Sequence, residues 1–267
     1  MKNFLLIFFA LCGAALNILC SCSRDDEKEE TMYQVATLQS LMVGNYDGFV
    51  TAGDLRTMGD IGIGTFTAAD GEMIMLDGTV WQARFDGSVI AVPDTLGLPF
   101  ATVTHFNEDF TAPTGNISSL TDLTETLART VEAHGRNLIH VVRIDIEDCD
   151  RIVVRSELPQ KKPYRPLVEA LATDQREFTY EHVGGSVVAV YFPSFFAMQN
   201  ATGWHCHFIS DDRQSGGHLL DISFTGQYPA SFDTTPYFLM YMPEHKDFAQ
   251  KDLDRDMSDE IQKVEKD

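Results

Sequence analysis

Two histidines separated by a single residue, His205 and His207, constrain the fold of this chain more than any other feature. Side chains two residues apart in a β-strand point to the same face, so an extended run here directs both imidazoles one way and Cys206 the other. The segment 211–217 that follows is polar and glycine-rich, which is typical of a turn. Such a turn brings the apolar run that begins at His218 back beside the first strand. The sequence therefore predicts a β-hairpin that carries three imidazoles on one face.

Three imidazoles on one face favour a metal site. Catalytic zinc sites commonly have three protein ligands and an open fourth position, whereas structural zinc sites usually have four protein ligands, often thiolates. A single histidine in a strand more often has a structural role, but three at this spacing favour a ligand set. Cys206 points away from the imidazoles in an extended strand, so we interpret it as a small buried apolar residue. The expected cofactor is Zn²⁺, although imidazoles also bind several other divalent ions.

The N-terminal segment is typical of a secretion signal. Residues 4–19 are almost wholly apolar and precede two cysteines and a charged run. The pattern resembles bacterial lipoprotein signals, and Cys22 fits the acylated position better than Cys20 because a small residue precedes it. We expect residues 1–22 to form the signal peptide, Cys22 to carry lipid and residues 23–31 to form a flexible acidic tether. The protein is then exported and anchored by lipid to the bacterial cell envelope; an uncleaved helical anchor is the alternative, for which the apolar run is short.

The charge of the chain limits its partners. The full sequence has a formal net charge of −20 at pH 7. Such a charge opposes binding to nucleic acid and electrostatic adhesion to anionic lipid. We therefore expect a small-molecule substrate, no nucleic acid, and contact with a membrane only through the lipid anchor. An anionic substrate would need local cations, which a metal and an arginine could supply.

Hydrophobic periodicity predicts an α+β protein with two sheets. The predicted helices cover residues 32–43, a stretch capped by Ser118 or Ser119 and ending at Gly135, a short stretch from Pro166, and residues 243–267. The predicted strands are an antiparallel meander over 62–92, a hairpin formed by 137–146 and 151–156, and strands at 187–192, 205–209 and 218–225.

Three charged residues outside the histidine motif are candidates for chemistry. Glu72 shares a strand face with apolar residues, so its carboxylate is either solvated at the edge of the sheet or buried for a purpose. Arg155 ends an apolar strand, where it is either an exposed charge or a binding group. Glu265 extends an apolar ridge of the last predicted helix, or is a solvated residue at the chain end.

Separate short motifs recur along the chain in an order and spacing that resemble those of the bacterial α-acetolactate decarboxylase family. The motifs are Gly64-Thr65-Phe66, Gly71-Glu72, Leu76-Asp77-Gly78, Leu98-Pro99-Phe100-Ala101, Arg155-Ser156, Pro159-Gln160, Pro163-Tyr164, Gly203–Ser210, Asp212-Arg213 and Gly216-Gly217-His218. The resemblance begins near Tyr33 and covers essentially the whole chain after the signal segment.

The resemblance implies a zinc-dependent carboxy-lyase. Its implied metal ligands are His205, His207 and His218, and its implied catalytic residues are Glu72, Arg155 and Glu265. The reaction implied is the decarboxylation of (S)-2-acetolactate to (R)-acetoin and carbon dioxide. In it the metal stabilises the enediolate before a stereospecific protonation. Either glutamate could donate that proton or contact the metal.

The resemblance also implies an architecture. The domain of residues 32–267 should contain two mixed or antiparallel sheet subdomains with flanking helices, with a boundary near 157–170. The metal site should lie between a sheet and the C-terminal segment. One sheet should continue across a homodimer.

Two other functions remain open from the residues alone. A cupin-like metalloenzyme would share the paired histidines followed by an acid, here Asp211, but its second ligand motif should lie further downstream than His218. A non-catalytic metal-binding surface lipoprotein would account for the histidines and the anchor. It would leave Glu72 and Arg155 without a role.

Overall fold

The computed structural model describes residues 30–266, with Glu265 and Lys266 described by their backbone alone. Cys22, the expected signal segment 1–22 and all but the last two residues of the expected tether lie outside the described residues. Most of the regular structure in the described part is β-strand, which forms two large sheets and one small two-stranded sheet.

The strands are β1 Thr31–Val35, β2 Val50–Thr51, β3 Ile61–Thr65, β4 Glu72–Leu76, β5 Thr79–Ala83, β6 Val89–Ala91, β7 Gly97–Leu98, β8 Phe100–Thr104, β9 Phe110–Pro113, β10 Ile139–Cys149, β11 Arg151–Glu157, β12 Gln175–Tyr180, β13 Val183–Phe192, β14 Gly203–Ser210, β15 Gly216–Ser223, β16 Pro229–Thr235 and β17 Tyr237–Tyr241. The α-helices are α1 Leu38–Met42, α2 Ala52–Leu55, α3 Leu120–His134, α4 Leu167–Asp174, α5 Lys246–Gln250 and α6 Ser258–Lys266, and short 3₁₀ helices cover Thr67–Ala69 and Ser194–Phe196.

The first large sheet is mixed and the second is antiparallel. The first has seven strands in the order β17-β1-β8-β3-β4-β5-β6, and β1 and β17 are parallel. The second has eight strands in the order β12-β11-β15-β14-β13-β10-β16-β9. The prediction of mixed and antiparallel sheets with flanking helices is confirmed, although the protein is mostly β. The predicted meander over 62–92 is confirmed as β3 to β6.

The chain changes sheets earlier than the sequence predicted. It passes from the first sheet to the second across residues 105–109, between β8 and β9, and returns only for β17. The segment 157–170, where we expected the boundary, joins β11 to its neighbour β12 within the second sheet. A loop and short helix there resemble a linker in sequence, but they serve as a long connection between antiparallel neighbours.

The predicted hairpin of β10 and β11 is wrong in its pairing. Both strands exist, but β10 lies between β13 and β16, whereas β11 lies between β12 and β15. A single residue, Asp150, separates the two strands, and the tightest common hairpin loops need two. Each strand therefore takes partners that are distant in sequence.

The helix prediction is accurate in the middle of the chain and wrong at its start. Helix α3 follows the N-cap Ser119, whose side chain accepts a hydrogen bond from the backbone N–H of Asp122, and it ends at Gly135. The predicted helix over 32–43 is instead β1 followed by the short α1, because β1 pairs with β8 and β17 on both sides. In the described part of the chain, no helix is both long and apolar enough to cross a bilayer.

Two layers of packing position the functional residues. Apolar side chains of the first sheet, including Ile63 and Ile74, pack against Val188 and Ile209 of the second. The face of the second sheet away from the first packs against α3. The C-terminal segment forms α5 and α6 rather than one helix, and Met257 and its apolar neighbours pack against α1 and α4. Val264 of α6 and residues of the first sheet line the same cavity as His205 and His218 of β14 and β15.

Candidate active site

The predicted hairpin of β14 and β15 positions all three histidines. His207 lies directly opposite His218 in the antiparallel register, and His205 lies two residues earlier on the same face of β14. All three side chains are buried, and His207 is completely inaccessible to solvent. Cys206 points to the other face, where it packs in the core beneath α3. The structure therefore brings the three predicted ligands together and separates Cys206 from them.

The ring nitrogens of the three histidines converge on one point. His205 Nε2 lies 3.1 Å from His207 Nε2 and 3.1 Å from His218 Nδ1. One nitrogen from each ring lies within 4.8 Å of the others. His207 Nδ1 lies 2.9 Å from the carbonyl oxygen of Met73, to which its N–H donates. This hydrogen bond leaves the lone pair of His207 on Nε2, the nitrogen that faces the cluster.

Burial keeps His205 and His207 neutral at pH 7. Removal from water, with a smaller contribution from the positive charge of Arg155, lowers the pKa of His205 to about 3. Burial and the neighbouring His205 lower the pKa of His207 well below its ordinary value. A neutral imidazole has the lone pair that a metal ligand requires.

The donor set fits a divalent metal ion. Two imidazole nitrogens bound to one tetrahedral Zn²⁺ at about 2.0–2.1 Å lie about 3.3–3.4 Å apart. The observed separations of 3.1 Å are close to that value. Three imidazoles that direct ring nitrogens at one point match the donor set of a divalent ion, which accepts a lone pair from each ring. The histidines could therefore hold one metal ion.

Glu72 reaches the cluster from the first sheet. Its Oε2 lies 3.5 Å from His207 Nε2, and the side chain is buried, which excludes the solvated alternative. The preceding Gly71 has a φ of +73°, and a Cβ there would lie 2.2 Å from the carbonyl oxygen of Ala83. Only glycine suits this tight turn, which brings the start of β4 against the second sheet.

Arg155 approaches from the strand on the other side of the hairpin. It lies directly opposite His218 in the pairing of β11 with β15, and its side chain is only 3% exposed. The strands approach closely because Gly217 has no side chain: a Cβ there would lie 2.4 Å from the carbonyl oxygen of Arg155. The exposed-charge alternative for Arg155 is therefore excluded.

A small cavity of about 40 Å³ joins these groups. Its polar lining includes Glu72, Arg155, Glu157, His205 and His218. Its apolar lining comes from the first sheet and from helices α1, α4 and α6: Leu38, Leu41, Phe100, Leu167, Leu171 and Val264. A largely apolar wall with a few convergent polar groups is typical of a site for a small molecule.

The site residues predicted from the sequence and those that line the cavity do not coincide for two glutamates, Glu265 and Glu157. The side chain of Glu265 lies outside the described residues, so its catalytic role stays a prediction; its neighbour Val264 lines the cavity. Glu157 also lines the cavity, and the sequence reasoning missed it. Strand alternation from Arg155 could have found it, because Glu157 lies two residues later on the same face.

Two packed sheets that enclose a histidine cluster place the chain among β-rich proteins with a site able to hold one metal ion. Comparison with known proteins identifies the family. The family model described as alpha-acetolactate decarboxylase matches residues 32–255. The chain belongs to the alpha-acetolactate decarboxylase family, a family of lyases. The resemblance seen in the motifs is confirmed, and the cupin-like alternative has no support.

Named relatives match most of the chain. A protein of Methanosarcina mazei named alpha-acetolactate decarboxylase is 36% identical over 237 residues, which cover 89% of this chain and 81% of the relative. A protein of Methylococcus capsulatus with the same name is 36% identical over 239 residues, which cover 89% of this chain and 90% of the relative.

Solved structures agree with the fold. The crystal structure of alpha-acetolactate decarboxylase from Bacillus subtilis strain 168 is similar with a TM-score of 0.83 at 32% identity, covering 89% of this chain and all of that one. A Staphylococcus aureus protein described as similar to alpha-acetolactate decarboxylase has a TM-score of 0.81 at 28% identity, covering 88% of this chain and all of that one.

Proposed function

We propose that the protein converts (S)-2-acetolactate to (R)-acetoin and carbon dioxide, using one Zn²⁺ held by His205, His207 and His218. One observation carries the proposal: three buried imidazoles converge beside a cavity that is also lined by a buried guanidinium and two buried carboxyl groups. Family membership supports the substrate and the reaction.

The chemistry needs a place for negative charge. Loss of carbon dioxide from a β-keto acid leaves an electron pair, and a divalent ion bound here supplies a Lewis acid that stabilises it. The chain's own groups prepare the site. The hydrogen bond from His207 to Met73 holds that ring in one tautomer. Arg155 presents a guanidinium whose planar fork suits the substrate carboxylate.

The remaining step is delivery of a proton to one face of the carbon that lost the carboxylate. Glu72 lies beside the histidine cluster and can act as the acid from a fixed side of the cavity. Glu265 is the second candidate. The apolar side chains from α1, α4 and α6 limit access of water, which would otherwise protonate either face. An acid that acts from one fixed side of the cavity accounts for one enantiomer of the product.

Removal of the metal is expected to abolish the reaction. Purified protein incubated with racemic 2-acetolactate should release (R)-acetoin, should lose this activity after dialysis against a strong chelator, and should regain it when Zn²⁺ is added. Gas chromatography on a chiral column measures the product and its configuration. Full activity in metal-free protein contradicts the proposal, and tight metal binding without turnover supports the non-catalytic lipoprotein instead.

We propose further that the protein is exported and anchored by lipid on Cys22, and that it is a homodimer. The anchor rests on the sequence pattern alone. The dimer is supported by β17, an edge strand of the first sheet on which Tyr237, Leu239 and Tyr241 are exposed. Cys22→Ser should prevent lipid attachment, measured by metabolic labelling with a fatty acid, whereas Cys20→Ser should not. Equal labelling of both variants contradicts the assignment of Cys22. The dimer is tested by light scattering, and a monomeric mass contradicts it.

A further inference from the structure

Glu157 is a buried charge in the cavity that the proposed reaction does not use. It ends β11 and lines the same cavity as Glu72, His205 and His218. Its Oε2 is buried and has no hydrogen-bond partner among the residues whose side chains the structure describes. An ionised carboxylate without full compensation is costly to bury, so its presence here calls for a function.

Glu157 contacts the arginine of the site. Its Oε1 lies 3.7 Å from Arg155 Nε, and the two side chains lie on one face of the strand. Gln175, directly opposite Glu157 on β12, accepts a hydrogen bond of 3.4 Å from Arg155 Nη1. Neither contact uses Nη2. Groups on two neighbouring strands therefore lie against the guanidinium, through an ion pair at Nε and one hydrogen bond at Nη1.

Glu157 also changes the charge of the cavity. Glu157 is a carboxylate of this small cavity that lies beside Arg155. The carboxylate of a ligand that binds Arg155 is compensated by the guanidinium. A second carboxylate on the same ligand would lie near Glu157 as well, and repulsion between like charges disfavours it.

We propose that Glu157 positions Arg155 and restricts the site to substrates that carry a single carboxylate. The inference rests on the proposed function, because it takes the divalent ion and the substrate from it. Electrostatic discrimination of this kind works through repulsion of the wrong ligand as well as attraction of the right one. Burial strengthens both effects because screening by solvent and salt is weak there.

Two substitutions separate the two roles. Glu157→Gln keeps the shape and removes the charge, and Glu157→Asp keeps the charge but retracts it from Arg155. Both should lower kcat about 10- to 100-fold, since a misplaced positioning group acts on the transition state. The Gln variant should leave KM for 2-acetolactate unchanged or lower, because a repulsive charge is lost. Glu181→Gln, at an exposed position, is the matched control and should change neither constant.

Two hydroxy acids test the charge preference without turnover. 2-Hydroxyisobutyrate has one carboxylate; citramalate has the same methyl, hydroxyl and carboxylate groups and a second carboxylate. Calorimetric titration of the zinc-loaded proteins should show that Glu157→Gln shifts the ratio of the two dissociation constants toward citramalate by about tenfold or more. Glu157→Asp and Glu181→Gln should keep the ratio of the unchanged protein.

The outcomes distinguish this inference from the proposed function. If the unchanged protein forms no acetoin, the proposed function fails, while the ligand ratio still measures the charge preference. If acetoin forms and Glu157→Gln leaves both kcat and the ligand ratio at the values of the Glu181→Gln control, the inference is wrong. Zinc content and melting temperature measured on each variant exclude loss of metal or unfolding as the cause of a lower kcat.

Discussion

Replacement of His207 with alanine is expected to remove both the bound metal and the decarboxylase activity. The ring of His207 is completely buried between the two sheets, and its Nε2 lies 3.1 Å from His205 Nε2. Without it only two imidazoles remain, and the hydrogen bond to the carbonyl oxygen of Met73 is also lost. Since a Lewis acid contributes several kcal/mol to a reaction of this type, kcat should fall by about 10³-fold or more.

The matched control for this variant is His140→Ala. His140 is also completely buried, but it lies outside the cluster, where its Nε2 is 2.9 Å from the carbonyl oxygen of Gly135. Its loss should lower the melting temperature and leave the metal content unchanged. Metal content by inductively coupled plasma mass spectrometry and acetoin formation are measured on both variants. A His207→Ala protein that keeps stoichiometric metal and the original kcat contradicts the assignment of this ligand.

Replacement of Glu72 with glutamine is expected to retain the metal and to lose most of the turnover. The amide fills the same space beside His207, so the three imidazoles keep their arrangement. It cannot donate a proton as a carboxylic acid does, and loss of a positioned acid typically costs about 10²- to 10⁴-fold in rate. The measurements are kcat for 2-acetolactate, zinc content, and the enantiomeric ratio of the acetoin.

The exposed Glu181→Gln is again the control and should behave as the unchanged protein. Each result for Glu72→Gln has a definite meaning. Decarboxylation at the original rate removes Glu72 from the mechanism. Loss of zinc assigns Glu72 to the metal as a ligand. A slow reaction that yields racemic acetoin supports Glu72 as the group that protonates one face.

Local patterns were enough to predict the part of the site that lies on one hairpin. The alternation of side chains in a strand and a glycine-rich turn predicted that His205, His207 and His218 share a face, and the structure places their ring nitrogens together. Helix α3 was equally readable, because its cap at Ser119 and its end at Gly135 are encoded within the helix itself. These features depend on interactions between residues that are close in the sequence.

Features that depend on distant contacts were not predicted from the residues themselves. Glu72 comes within 3.5 Å of His207 only because the first sheet packs on the second, and periodicity left its burial open. The same limit explains the wrong pairing of β10 and β11 and the strand found where a first helix was expected, since both depend on partners far along the chain. The family resemblance supplied Glu72 and Arg155, and it did not draw attention to Glu157.

The coordination of the metal in catalytically competent protein tests the central claim most directly. X-ray absorption spectroscopy at the zinc edge, on protein whose acetoin formation has been measured in the same preparation, should show three imidazole nitrogens at about 2.0–2.1 Å and no sulfur ligand. A first shell that contains sulfur or fewer than three imidazoles, or full activity in protein without a bound metal, would contradict the account.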